Sequence, residues 1–156
     1  MMAEETPLII LLEKIDGFMQ GMNPVKINLQ ERKAAKFYEI IGRRDTQSQA
    51  EQTISPEYLM TLLAPYATKV LIKILEIELP YKIRGVIHTQ SEINYFKPIH
   101  FGNYDLFSRL ESLQKKKGKT GNYLVFTFRM TLFKEGQEEM ANDIHQFFLR
   151  IGEEVS

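Results

Sequence analysis

Tyr123-Leu-Val-Phe-Thr-Phe-Arg-Met-Thr-Leu132 is the stretch on which the fold turns. Leu124, Phe126, Phe128, Met130 and Leu132 alternate with Tyr123, Val125, Thr127, Arg129 and Thr131. Side chains of a strand point alternately to its two faces. The spacing therefore predicts one apolar face laid on a core and one mixed face. Val86–Tyr95, Tyr104–Leu113 and Met140–Ile151 read as further strands. Polar, turn-like segments separate the last three: Lys115–Gly121, and Lys134-Glu135-Gly136-Gln137. Those strands are expected to form an antiparallel meander.

Upstream of Gly85 the period is that of helices. Ser55-Pro56-Glu57 opens the most apolar of them, with Leu59, Leu62, Leu63, Tyr66, Val70 and Ile74 at helical spacing. It is expected to be buried on most sides, with a kink or break near Ala64 because Pro65 lies inside the pattern. A second helix is predicted from an Asn28 cap, with Glu31 completing a capping box, through Ala34, Phe37 and Ile41 to Gly42. A first helix is predicted from Thr6-Pro7 through Leu8, Leu11, Leu12 and Ile15, stopping at Gly17. Residues 43–53 read as a polar loop. A buried apolar helix followed by long antiparallel strands implies an α+β fold whose sheet wraps that helix.

The chain has 156 residues, which fits one domain, and neither repeats nor linker-like stretches divide it. Residues 1–25 form an N-terminal helix and lead-in to the rest. Lysine plus arginine number 20 and aspartate plus glutamate number 20, so the basic balance of a nucleic-acid binder is missing. With no cysteine, disulfides, thiolate metal sites and a cysteine nucleophile are excluded. The apolar run Leu8–Leu12 is too short for a secretory signal or a membrane span, and no N-glycosylation acceptor is present. The expectation is a cytoplasmic protein with no membrane and no nucleic acid among its partners.

The stretch His88-Thr-Gln-Ser-Glu-Ile-Asn-Tyr-Phe-Lys-Pro-Ile-His-Phe-Gly-Asn103 resembles the strand and turn of MaoC-like dehydratases, in particular the N-terminal half of that family. Lys97, Pro98, Ile99 and Gly102 match the family's turn, while Asn103 stands where aspartate is usual. The likeness extends over residues 26–150 and implies a hot-dog fold, an antiparallel sheet wrapped around one helix. It also implies chemistry, the removal or addition of water at a 3-hydroxyacyl thioester. The family's acid–base pair sits in a Gly-Asp-x-Asn-Pro-x-His motif, and aligning on Gly42 puts Arg43, Asp45, Thr46 and Ser48 at its aspartate, asparagine, proline and histidine. Slipping by two places brings Asp45 to the base and Ala50 to the histidine. In neither alignment is there a pair able to move a proton.

By this resemblance no residue of the chain is assigned as catalytic, and a second hot-dog subunit, identical or different, is expected to complete a double hot dog. The partners implied are that subunit and an acyl thioester of coenzyme A or an acyl carrier protein; no cofactor and no metal are implied. His88, Gln90, Ser55 and Glu57 are the candidate substrate-binding residues. Two other classes compete: a hot-dog acyl-coenzyme A thioesterase, with Glu57 as the only carboxylate near the central helix's start, and a binding module without chemistry. Lys115, Lys116, Lys117 and Lys119 read as a solvated hairpin before they read as a phosphate or carrier-protein site.

Overall fold

A computed structural model describes residues 2–40, 53–77, 79, 81–135 and 138–154. The elements in chain order are α1 (Met2–Met22), β1 (Val25–Leu29), α2 (Glu31–Ile40), α3 (Pro56–Glu76), β2 (Tyr81–Tyr95), β3 (Gly102–Gly118), β4 (Gly121–Lys134) and β5 (Glu138–Glu154). The five strands form one antiparallel sheet in the order β1-β3-β4-β5-β2, curled around α3. The meander of β3, β4 and β5 is present as expected, with β2 returning to pair with β5 as an edge strand.

The concave face follows from the register. Leu124, Phe126, Phe128, Met130 and Leu132 of β4 lie opposite Leu149, Phe147, His145, Asp143 and Ala141 of β5. All ten are buried. Phe126, Phe128 and Phe147 stack within 6.3 Å of one another, centroid to centroid, to form the floor of the core. Strands β3 and β4 run further than the polar composition of their ends suggested. Lys115, Lys116 and Lys117 pair across to Leu124, Tyr123 and Asn122, leaving a two-residue turn at Lys119-Thr120. A Cβ at Gly118 would lie 2.8 Å from the Tyr123 ring, so a side chain there would have to displace that ring.

Helix α3 is built as its sequence predicts at the start. Ser55 caps it, its Oγ accepting a hydrogen bond from the Tyr58 amide at 3.3 Å, and Pro56 fills the first turn, where no amide partner is needed. Ser55→Ala is expected to cost about 1 kcal/mol in urea denaturation; an unchanged midpoint would mean that the cap contributes nothing.

The expected break near Ala64 is not there, since α3 continues through Pro65 to Glu76. Pro65 and Thr61 are both exposed, so water can reach the carbonyl that proline leaves without a donor. Nor is α3 buried on most sides. Tyr58, Leu59, Leu63, Ala67, Val70 and Ile74 face the core, whereas Met60, Ile72 and Leu75 are 39%, 48% and 37% exposed. A single five-stranded sheet covers only one side of a helix. By length and composition α3 is apolar enough to cross a membrane, yet its inner stripe is spent on the sheet.

The other helices depart from their sequence-based bounds. α1 starts before Thr6-Pro7 and passes Gly17, because the buried stripe Leu11, Ile15 and Met19 continues beyond it. Packing of such a stripe outweighs the roughly 1 kcal/mol that glycine costs inside a helix. Leu12, expected on the buried face, is exposed. Asn28 is not a helix cap: it belongs to β1, where Ile27 and Leu29 point inward and its own amide donates to Asn103 Oδ1 at 2.5 Å. α2 begins at Glu31 and buries Ala34 and Tyr38. Its expected end at Ile41-Gly42 lies outside the described residues.

Candidate functional site

Two polar clusters lie within or beside the core, and sequence reasoning reached parts of both. The first surrounds the start of α3. The Ser55 amide donates to the Tyr38 hydroxyl at 2.9 Å, and Tyr95 at the end of β2 donates to the Ile54 carbonyl at 3.4 Å. Burial, and then the neighbouring Tyr38 and Glu57, push the Tyr95 phenol well above the ordinary range, so it stays protonated and a donor. Tyr58 is raised as well, by burial and by Tyr38. Glu57 is exposed in the first helical turn, close enough to act on Tyr95.

The motif Lys97-Pro98-Ile99 supports this cluster from below. Ile99 is fully buried, its carbonyl accepts from the Ile54 amide at 2.8 Å, and His100 bridges to Thr53. Lys97 lies 2.9 Å from Glu138 and holds that carboxyl below its usual range. The motif thus anchors the lead-in to α3. The positions aligned with the family's acid–base pair, Arg43, Asp45, Thr46 and Ser48, together with Ala50, lie outside the described residues.

The second cluster crosses the concave face. His145 Nε2 lies 2.8 Å from Asp143 Oδ2, and His145 Nδ1 lies 3.1 Å from His88 Nε2. Asp143 is 1% exposed, His145 7%, and His88, on the edge strand, is open to solvent. The rings are held by stacking: His88 on Phe147 at 4.5 Å and 16°, and His145 on Phe128 at 5.4 Å and 26°. Asp143 Oδ1 is buried with no hydrogen-bond partner among the described residues.

Of the residues named from sequence, His88 therefore joins a cluster and Gln90 does not. A register shift between His88 and Gln90 places His88 opposite Phe147, on the concave face, and Gln90 opposite Gln146, on the convex face. The extra residue, Thr89, turns outward and bonds Gln146 at 3.1 Å. Ser55 and Glu57 belong to the tyrosine cluster at the helix start. The pair Asp143 and His145 was missed. Its signal was present, as two polar residues on the inward parity of a strand otherwise occupied by Ala141, Phe147, Leu149 and Ile151.

Among the described residues no group of three or more carboxylates and imidazoles is arranged to hold a metal ion. A depression of about 470 Å³ opens on the convex face between Phe107, Arg109, Arg129, Thr131, Phe133 and Glu139. It is remote from both clusters, on the opposite side of the sheet from the Asp143 row.

No family model and no curated protein matches the sequence. Solved structures do match. The ChsH1–ChsH2 complex of Mycobacterium tuberculosis aligns at 13% identity over 94% of this chain and 99% of that one, with a TM-score of 0.58. The 3R-hydroxyacyl-ACP dehydratase complex HadBC of the same organism aligns at 12% identity over 80% and 90%, also with a TM-score of 0.58. A Streptococcus mutans protein bound to acetyl CoA aligns at 17% identity over 84% and 82%, with a TM-score of 0.50. Identities this low carry architecture: the chain has the hot-dog fold, one curled antiparallel sheet closed on one long helix.

Proposed function

We propose that this chain binds acyl thioesters and works as one half of a double hot dog that adds or removes water at a 3-hydroxyacyl thioester. One observation carries the reading. Among the described residues nothing pairs with the outer side of the 15-residue edge strand β2, where Val86 and Ile87 are exposed, and the outer face of α3 adds Met60, Ile72 and Leu75. Unpaired edges of that length and exposed apolar side chains are what a second subunit covers. The likenesses to a 3R-hydroxyacyl-ACP dehydratase complex and to a protein bound to acetyl CoA support the substrate class. In this arrangement the chain contributes acyl pocket and interface.

A second copy of β2 crossing antiparallel at His88 lays Arg84 of one strand against Glu92 of the other. The two residues stand equally far from the crossing, and both belong to the convex face. Arg84→Glu is therefore expected to weaken self-association at least about tenfold, the equivalent of roughly 1.4 kcal/mol, and Glu92→Arg on the same chain to restore it. Sedimentation equilibrium checks this, and two variants that weaken association additively would reject the crossing. Hydration of a crotonyl thioester, by the chain alone and with an intact hot-dog subunit, tests the activity. No binding and no turnover in either case would reject the function.

Glu57 favours a second reading, because it neighbours Tyr95 at the start of α3. In an acyl-thioester hydrolase that carboxylate would position water. Thiol release from acyl-coenzyme A that Glu57→Gln abolishes would select the hydrolase.

A further inference from the structure

We propose that Asp143, His145 and His88 form a proton-transfer row, in which His88 is the base that this chain itself presents to a ligand at the β2 edge. The ligand named below rests on the functional reading above; the row stands on geometry.

An ionised carboxylate only accepts hydrogen bonds, so the 2.8 Å contact with Asp143 puts the hydrogen of His145 on Nε2. Neutral His145 then has a lone pair on Nδ1, and the 3.1 Å contact requires His88 to donate from Nε2. The hydrogen positions follow one another outward and leave the Nδ1 lone pair of His88, exposed on the edge strand, without a hydrogen-bond partner among the described residues. Each imidazole is fixed in tautomer by its inner neighbour, the arrangement by which a buried carboxylate orients a base.

The groups around the row do not compete for its proton. Phe128 and Met130 face it from β4, Ser91 from β2, and the buried stripe of α3 is apolar apart from Tyr58, whose phenol burial keeps protonated. Glu92 lies on the opposite face of β2. Asp143 is also poorly served for a structural residue. Its buried Oδ1 has no partner among the described residues, an arrangement that disfavours the fold, and its neighbours Met130, Ile93 and Ala141 show that apolar side chains fill this layer.

With a 3-hydroxyacyl thioester at the edge, His88 Nδ1 takes the C2 proton. The C2–H electrons become the second C2–C3 bond as the C3–O bond breaks. The departing hydroxyl takes the proton back from Nδ1 and leaves as water. Between these events the charge is shared inward, His88 Nε2–H shifting toward His145 Nδ1 while Asp143 faces the resulting imidazolium. His88 is the catalytic residue in this account, and His145 and Asp143 are positioning residues.

The test is nitrogen-15 spectroscopy of the histidine rings in the full chain, which has only His88, His100 and His145. His145 is expected as the locked Nε2–H tautomer, with a coupling across the hydrogen bond to His88 Nε2. Asp143→Asn is expected to mix the tautomers of His145, and His88→Gln to abolish the coupling. A hydrogen on His145 Nδ1, or tautomers indifferent to Asp143→Asn, overturns the row. In the assembled protein, His88→Gly is expected to lower kcat about a hundredfold with KM unchanged, and added imidazole to restore it. If wild type turns over the thioester and His88→Gly does so equally well, the role of His88 is overturned while the functional reading stands. If the row is as described and wild type turns over none, the functional reading falls, and with it the ligand named here.

Discussion

Phe126→Ala is expected to destabilise the protein by about 3–5 kcal/mol, among the largest effects of any single change. The ring is fully buried on the concave face, stacked on Phe128 and Phe147 from two strands. Its removal loses the transfer free energy of the ring and leaves a void between sheet and helix that rigid strands cannot close. Domains are stable by only about 5–15 kcal/mol, so the variant stands near the edge of folding. Urea denaturation measures it. A loss below about 1 kcal/mol would mean that the concave floor is not the core.

His145→Leu is expected to cost a similar amount, about 3–5 kcal/mol, for a different reason. The substitution nearly conserves volume but leaves the Asp143 carboxylate buried with both oxygens unpartnered. The second half of the experiment identifies the cause. Asp143→Leu combined with His145→Leu removes the stranded charge, and its stability is expected to return to that of wild type or exceed it, since buried pairs are often matched by apolar residues of like size. Losses that add in the double variant would show that His145 acts through packing alone. Loss of activity alongside a stable double variant is the expected mark of a row kept for chemistry.

The parts of the fold that were legible in sequence are those with one dominant signal. Leu124 to Leu132 alternates without interruption, and Ser55-Pro56 starts a helix whose stripe repeats to Ile74. β1 was missed because Val25, Ile27 and Leu29 offer only five residues of alternation, and Asn28 with Glu31 imitates a helix cap. The sheet settled that competition, since Asn28 pairs with Asn103 across a ladder whose other strand is 75 residues away. The periodicity of α3 showed which residues are apolar but not what covers them, so its bare outer face was illegible. The row at Asp143 has the same origin. His88 and His145 lie 57 residues apart in sequence, and only the return of β2 to the far side of β5 brings them together.

That return of β2 has a consequence during synthesis. Where nothing covers it, the outer side of β2 from Tyr81 to Tyr95 is a ribbon of unbonded amides and carbonyls, and identical ribbons stack readily. Lys82, Arg84 and Glu92 interrupt the ribbon with charge and act as its gatekeepers. If the proposed second subunit closes that border, overproducing this polypeptide by itself should fill inclusion bodies more readily than making it together with that subunit.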